Sequence, residues 1–179
     1  MFRRLIYLVS FALVPGVFLG VANADIETGL VGYWPLDEGA GTTTADASGN
    51  GHNGTFAEGT PVWVEGMFGK ALQFDGSSAV EIPDHADFHL EDAVSMALWI
   101  KPEDNQPEYG KPFIKQKSGE YPYAIQYNQS GGSIRATVNA SARFDTPGTP
   151  NFVGEWGHLC MTYDGSAVIL YKDGEEVAR

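Results

Sequence analysis

Cysteine is almost missing from this chain: Cys160 is the only one in 179 residues. One thiol cannot close an internal disulfide, whatever the compartment. In "WGHLCMTYDG" it alternates with apolar neighbours, the setting of a small core residue. His158, two positions earlier, shares a strand face with it, and that spacing alone does not make a nucleophile and base. Cations are scarce too, with 11 Lys and Arg against 23 Asp and Glu, a formal charge of −12. Nucleic acid is excluded as a partner, because phosphate contacts need clustered basic residues. No useful length follows the helical period, which argues against helical and α/β classes. Nor do His52, His85, His89 and His158 show metal-protease spacing, and no serine stands in a Gly-x-Ser-x-Gly elbow.

The N-terminus does carry a signal. "MFRRLIYLVSFALVPGVFLGVANA" has two arginines, a mostly apolar run over residues 5–19, and small residues at Ala22 and Ala24. This is the pattern of a secretory signal peptide over residues 1–24, cleaved after Ala24. The apolar run is shorter than the ~20 residues of a spanning helix, and Pro15 interrupts it. Removing residues 1–24 leaves 179 − 24 = 155 residues, 25–179, enough for one domain. Without Arg3 and Arg4 the balance is 9 basic against 23 acidic residues, or −14. The expected product is secreted or on the cell surface, with no membrane contact after cleavage.

Short runs rich in β-branched and aromatic residues, bounded by Gly, Pro, Asn and Asp, fill the rest. "ALQFDGSSAVEIP", "AVSMALWIKP", "YAIQYN", "SIRATVNA", "HLCMTYDG" and "AVILYKDGEEVA" each read as a strand or hairpin arm. In the second, Val94, Met96, Leu98 and Ile100 share one face and Ser95, Ala97, Trp99 and Lys101 the other. Bulky residues on both faces predict a strand covered on both sides. Asp173-Gly174 supplies the positive φ angles of a two-residue hairpin. The fold class expected is all-β, an antiparallel two-sheet sandwich or jelly roll.

The loop "DASGNGHNGT", residues 46–55, is the densest polar cluster. A phosphate loop would need a Lys-Ser/Thr pair running into a helix, and an EF-hand would need a glutamate where Ala57 stands. Two readings survive. Asp46 and Asn50 bond their own backbone in Asx-turns while Gly49, Gly51 and Gly54 take positive φ. Alternatively Asp46, Asn50 and Asn53 offer hard oxygens to a structural calcium ion, with Asp37 and Glu38 in reserve.

"GLVGYWPLDEGAGTTTADASGNGHNGTF", "GKALQFDGSSAVEIPD", "VSMALWIKP" and "EWGHLCMTYDGSAVILYKDGEEVA", in that order, resemble a laminin-G-like domain of the concanavalin A-like lectin/glucanase superfamily. The resemblance covers most of residues 29–179 and is weakest over 103–151. It implies a jelly roll and a structural calcium ion between the N-terminal region and the last strand, landing on Asp46. It also implies strands beyond the last hairpin, so the domain is expected to be C-terminally truncated, its closing strands missing. The superfamily's glucanases set Glu-x-Asp-x-x-Glu on one strand face for retaining hydrolysis. That spacing is absent here, and a non-enzymatic chain is expected.

If "YAIQYN" and "SIRATVNA" are neighbouring strands, Tyr123, Ile125, Tyr127, Ile134, Ala136 and Val138 share one face. The other holds Gln126, Asn128, Arg135, Thr137 and Asn139. Amides, a guanidinium and hydroxyls suit a sugar, so Gln126, Asn128, Arg135 and Thr137 are the candidate carbohydrate-binding residues; any half-exposed sheet shows the same alternation. Trp34, Trp63, Trp99 and Trp156 are expected in packing. The function implied is an adhesion or carbohydrate-binding module of a larger exported protein, with a glycan or an extracellular protein as partner. The alternatives are a spacer without a ligand, or an accessory domain of a secreted glycoside hydrolase.

Overall fold

The computed structural model describes residues 4–7, 28–103, 106–117, 120–128, 132–139 and 142–179. Among them are fifteen strands and one 3-10 turn, Ala86–Phe88. The strands are β1 (Arg4–Tyr7), β2 (Thr43–Thr44), β3 (Gly54–Glu58), β4 (Val62–Glu65), β5 (Lys70–Phe74), β6 (Ala79–Glu81), β7 (Val94–Ile100) and β8 (Phe113–Lys117). They continue with β9 (Glu120–Tyr127), β10 (Ser133–Asn139), β11 (Arg143–Asp145), β12 (Thr149–Pro150), β13 (Gly157–Tyr163), β14 (Val168–Lys172) and β15 (Glu175–Ala178). One sheet runs β15-β14-β13-β7-β1-β5-β4, a second β11-β10-β9-β8 with β12 on β10, and a small third β2-β3-β6. All pairings are antiparallel. No helix among the described residues is long and apolar enough to cross a membrane.

The period of two builds the core. On β7 the buried positions are Val94, Met96, Leu98 and Ile100, and on β13 they include Leu159, Met161 and Tyr163, in register as Leu159 with Leu98 and Met161 with Met96. Facing them across the sandwich are Tyr123, Ile125 and Tyr127 of β9 and Ile134, Ala136 and Val138 of β10. Each large apolar side chain buried this way contributes about 1.5–3 kcal/mol. A second cluster gathers Trp34, Leu36, Leu72 and Phe74, with Phe56, Trp63, Val80, Ile82, Phe88 and Phe113 around it. Between β14 and β15, Asp173 (φ 52°) and Gly174 (φ 86°) make the expected tight turn.

Two expectations are corrected. The outer face of β7 is only partly covered: Ser95 is exposed, and Trp99 is half-buried against Phe68 and His158, with ring centroids 5.5 and 5.3 Å away. A local aromatic group shields it, with no further sheet layer among the described residues. Cys160 also lies on an outer face, half-buried, because Leu159 and Met161 take the inward positions on either side of it. Burial pushes its thiol pKa up.

Strand β1 sits inside the seven-stranded sheet, opposite β5 (Arg4 with Phe74, Ile6 with Leu72) and opposite β7 (Ile6 with Ile100, Tyr7 with Trp99). It belongs to the expected leader, and the expected cleavage point at Ala24 lies outside the described residues. A chain cut after Ala24 does not contain β1. Its β5 and β7 would then present facing rows of backbone N–H and C=O groups with no strand between them.

Candidate functional site

The outward faces of β9, β10 and β11 hold polar side chains because their inward faces are spent on the core. Gln126 pairs with Arg135, Thr137 with Asp145, and Asn139 with Arg143. These residues, Asp145 excepted, line a depression of about 300 Å³ with Tyr109 and Lys111. The two rim residues arrive from a distant turn. The Tyr109 N–H donates to the Asn128 carbonyl at 3.2 Å and the Tyr127 N–H to the Gly110 carbonyl at 2.7 Å, which fixes that turn to the end of β9. Tyr109 itself takes φ 52° and is exposed.

The floor is a hydrogen-bonded row. The Thr137 hydroxyl donates to Asp145 Oδ1 at 2.7 Å, and the Arg143 Nε donates to Asp145 Oδ2 at 2.7 Å. With its nitrogen turned inward, the Gln126 amide donates to the Thr137 hydroxyl at 2.8 Å. With its oxygen turned inward, it accepts from the Arg135 guanidinium at 3.2 Å and lies 2.8 Å from the same hydroxyl. The oxygen-inward orientation serves both neighbours, Arg135 and Thr137, and the single Thr137 proton is then contested by the Gln126 oxygen and Asp145 Oδ1. Burial works against ionisation of Asp145, but hydrogen bonds from Arg143 and Thr137 outweigh it and lower its pKa. The Arg143 pKa is raised in turn by its bond to Asp145.

Of the predicted residues, Gln126, Arg135 and Thr137 are brought together, and Asn139 joins them as the alternation predicts. Asn128 is not among the lining residues. It closes the mouth of the β9–β10 hairpin, its Oδ1 accepting from the Ser133 N–H at 3.4 Å and its own N–H donating to the Ser133 carbonyl at 2.9 Å. Arg143, Tyr109 and Lys111 were missed. A hairpin register carried on from β10 would have found Arg143 opposite Asn139; nothing local points to Tyr109 or Lys111.

The loop at residues 46–55 brings its three predicted residues together differently. Asp46 Oδ1 accepts from the Tyr33 and Ser48 N–H groups, each at 2.9 Å, and Oδ2 from the His52 N–H at 3.0 Å. Asn53 Oδ1 accepts from the Asp46 N–H at 2.9 Å, and Asn50 Nδ2 donates to the Leu30 and Val31 carbonyls at 2.9 and 3.0 Å. Partial burial opposes ionisation of Asp46, but the hydrogen bonds from Ser48, Tyr33 and His52 outweigh it and lower its pKa to about 2. Gly49 and Gly51 take φ 90° and 81° as expected. Gly54 does not; it starts β3, where a Cβ would meet Thr44 and Val80 at 2.8 Å. The reserve acids are also engaged, Asp37 with the Lys70 N–H and Glu38 with the Ala45 N–H, both at 2.7 Å.

Residues 74–179 match the laminin G family described as the Concanavalin A-like lectin/glucanases superfamily. The chain belongs to this superfamily. Among solved structures it is similar to domain 4 of AbnA, an extracellular arabinanase of glycoside hydrolase family 43 from Geobacillus stearothermophilus, determined in complex with arabinotriose. The two share 27% identity with a TM-score of 0.58, over 74% of this chain and 66% of that one. No curated protein matches. In this laminin-G-like domain every residue lining the depression falls inside the matched span, and the loop at residues 46–55 precedes it.

Proposed function

We propose that this laminin-G-like domain is an exported, non-catalytic carbohydrate-binding module whose site is the depression on β9–β11. The observation that carries this reading is the gathering of Lys111, Arg135 and Arg143 with the Gln126 and Asn139 amides and the Thr137 hydroxyl in one depression. A sugar hydroxyl donates and accepts at once, so it can pair with the cationic donors and the amides alike. Tyr109 at the rim supplies an aromatic face of the kind that stacks on sugar rings. The likeness to a domain determined with arabinotriose supports the ligand class. The absence of a Glu-x-Asp-x-x-Glu face in the sequence supports binding without hydrolysis.

Charge narrows the ligand further. Lys111, Arg135 and Arg143 bring three of the chain's 11 Lys and Arg residues into one depression, against the single carboxylate of Asp145. A saccharide bearing a carboxylate therefore gains more here than a neutral one, through charge-assisted hydrogen bonds. Calorimetric titration of the full chain with arabino-oligosaccharides and with uronate-containing oligosaccharides tests this. Binding of either class, lost in Arg135→Ala with unchanged melting, supports the site. If neither binds, or if Arg135→Ala binds as the parent does, the depression is not the site. A protein partner or a spacer role then becomes the better reading.

A further inference from the structure

We propose that His52, His85 and Asp87 form a site for a divalent transition-metal ion of the zinc class. His52 Nε2 lies 3.0 Å from Asp87 Oδ2, and His85 Nδ1 lies 3.2 Å from the same oxygen. All three ligand atoms fall within 4.8 Å of one another. Zinc bonds to imidazole nitrogen and carboxylate oxygen at about 2.0–2.2 Å, which sets tetrahedral ligand atoms roughly 3.3 Å apart. Two of the three separations already meet that value. The third closes by rotation of His85, which is half-exposed.

The local hydrogen bonds point to a cation. His85 caps the 86–88 turn, its Nδ1 accepting from the Asp87 N–H at 3.3 Å, so that nitrogen presents a lone pair. A carboxylate oxygen faces it at 3.2 Å, and two acceptors so placed repel unless something positive lies between them. A proton or a metal ion on Nδ1 would equally take the lone pair that accepts the long 3.3 Å cap bond; the proton joins His85 to Asp87 alone, whereas the ion also engages His52. A metal ion accepts lone pairs from both and from His52.

His52 is held for the part. Its side chain is only 8% exposed. Its N–H donates to Asp46 Oδ2 at 3.0 Å, its carbonyl accepts from Trp34 Nε1 at 2.7 Å, and its ring lies 4.6 Å from that of Phe88. The loop at residues 46–55 thus positions a nitrogen ligand. Two imidazoles and a carboxylate suit a borderline ion such as zinc better than calcium, which takes oxygen ligands. The exposed sides of His85 and Asp87 leave room for a solvent ligand in the fourth position, as in open three-ligand zinc sites.

The test is calorimetric titration of zinc chloride into the untagged full chain, with cobalt(II) absorption as a second readout. The expected result is one ion per chain, a cobalt spectrum of four- or five-coordinate type, and a raised melting temperature. His85→Ala and Asp87→Asn, both at exposed positions, should each weaken binding by at least the roughly 10- to 100-fold that loss of an outer-sphere partner costs. His89→Ala and Cys160→Ser should leave it unchanged. No saturable binding at 100-fold excess zinc over protein, or binding that survives both His85→Ala and Asp87→Asn, overturns the proposal.

Discussion

The loop at residues 46–55 and the depression on β9–β11 are both polar clusters on a β-sandwich, yet they are finished to different degrees. In the loop both Asp46 oxygens are taken by backbone N–H groups of Tyr33, Ser48 and His52. In the depression the single Thr137 proton has two acceptors within reach, Asp145 Oδ1 and the Gln126 oxygen. Saturated polar groups hold structure, and groups left with a choice of partner are where a ligand gains most. A count of Asp, Asn and Gly in the sequence ranks the two regions the other way.

The largest break comes from β1, which joins β5 and β4 to the β7-β13-β14-β15 half of the same sheet. Deleting residues 1–24 removes five cross-strand residue pairs. At about 1 kcal/mol net per backbone hydrogen bond the loss is on the order of 5 kcal/mol. The protein from Asp25 should bind an apolar dye, self-associate and lose hydrogen-exchange protection in β4 and β5, while β9 and β10 stay protected. Unchanged protection in β5 would show that Leu72 and Phe74 hold the halves together by packing alone. N-terminal sequencing of the exported product decides which form exists, with Asp25 the expected first residue.

Asp46→Ala comes next. Losing an acceptor for three N–H groups should cost about 3 kcal/mol, at roughly 1 kcal/mol each, without changing sugar affinity. The parent protein reports the same group through pH. A folded pKa lowered from 3.8 to about 2 gives a stabilising contribution that is complete above the ordinary carboxylate value and is lost as pH falls through about 2. Thermal melts between pH 5 and pH 2 should therefore show a fall that is shallower in Asp46→Ala, the other carboxylates with lowered pKa, Asp145 and Asp164 among them, supplying the rest. A calcium ion at Asp46 would have to displace those N–H groups. A melt lowered by chelator and restored by calcium in the parent but not in Asp46→Ala places the ion there; an unchanged melt leaves a polar turn.

Smaller effects sharpen the other side. Arg135→Ala should weaken saccharide binding by about 10- to 100-fold, the value of a hydrogen bond to a charged group, with the melting temperature unmoved. Added salt should weaken an acidic ligand more than a neutral one. Asn128→Ala, outside the depression, should leave affinity unchanged and cost less than about 1 kcal/mol of stability. An affinity loss there equal to that of Arg135→Ala would extend the site along the hairpin mouth.

Much of the fold was legible because strand alternation is a local property. Val94, Met96, Leu98 and Ile100 announce one face of β7, and Asp173-Gly174 announces the turn after β14, with no knowledge of what lies opposite. The same alternation put Gln126, Arg135, Thr137 and Asn139 on one surface. Local pattern does not report what covers a face, so it misplaced Cys160 and over-covered the outer side of Trp99. It also carried Asn128 into the candidate site, although that residue stands past the end of β9, where the hairpin turns the chain.

By itself, the sequence determined the class of fold and the faces of the main strands, which depend on neighbours one or two positions apart, and the shortage of positive charge, which is composition alone. Only the tertiary structure decided where the scarce cations gather, because Tyr109 and Lys111 reach Arg135 and Arg143 through backbone hydrogen bonds between segments far apart in the chain. It also decided what the polar loop does. Asp46 turns its charge inward on N–H groups, one of them from Tyr33, 13 residues away. His52, unremarkable in the sequence, is thereby set against His85 and Asp87 from a turn more than 30 residues further on. Which polar groups meet depends on partners distant in the chain, and no local pattern reports them.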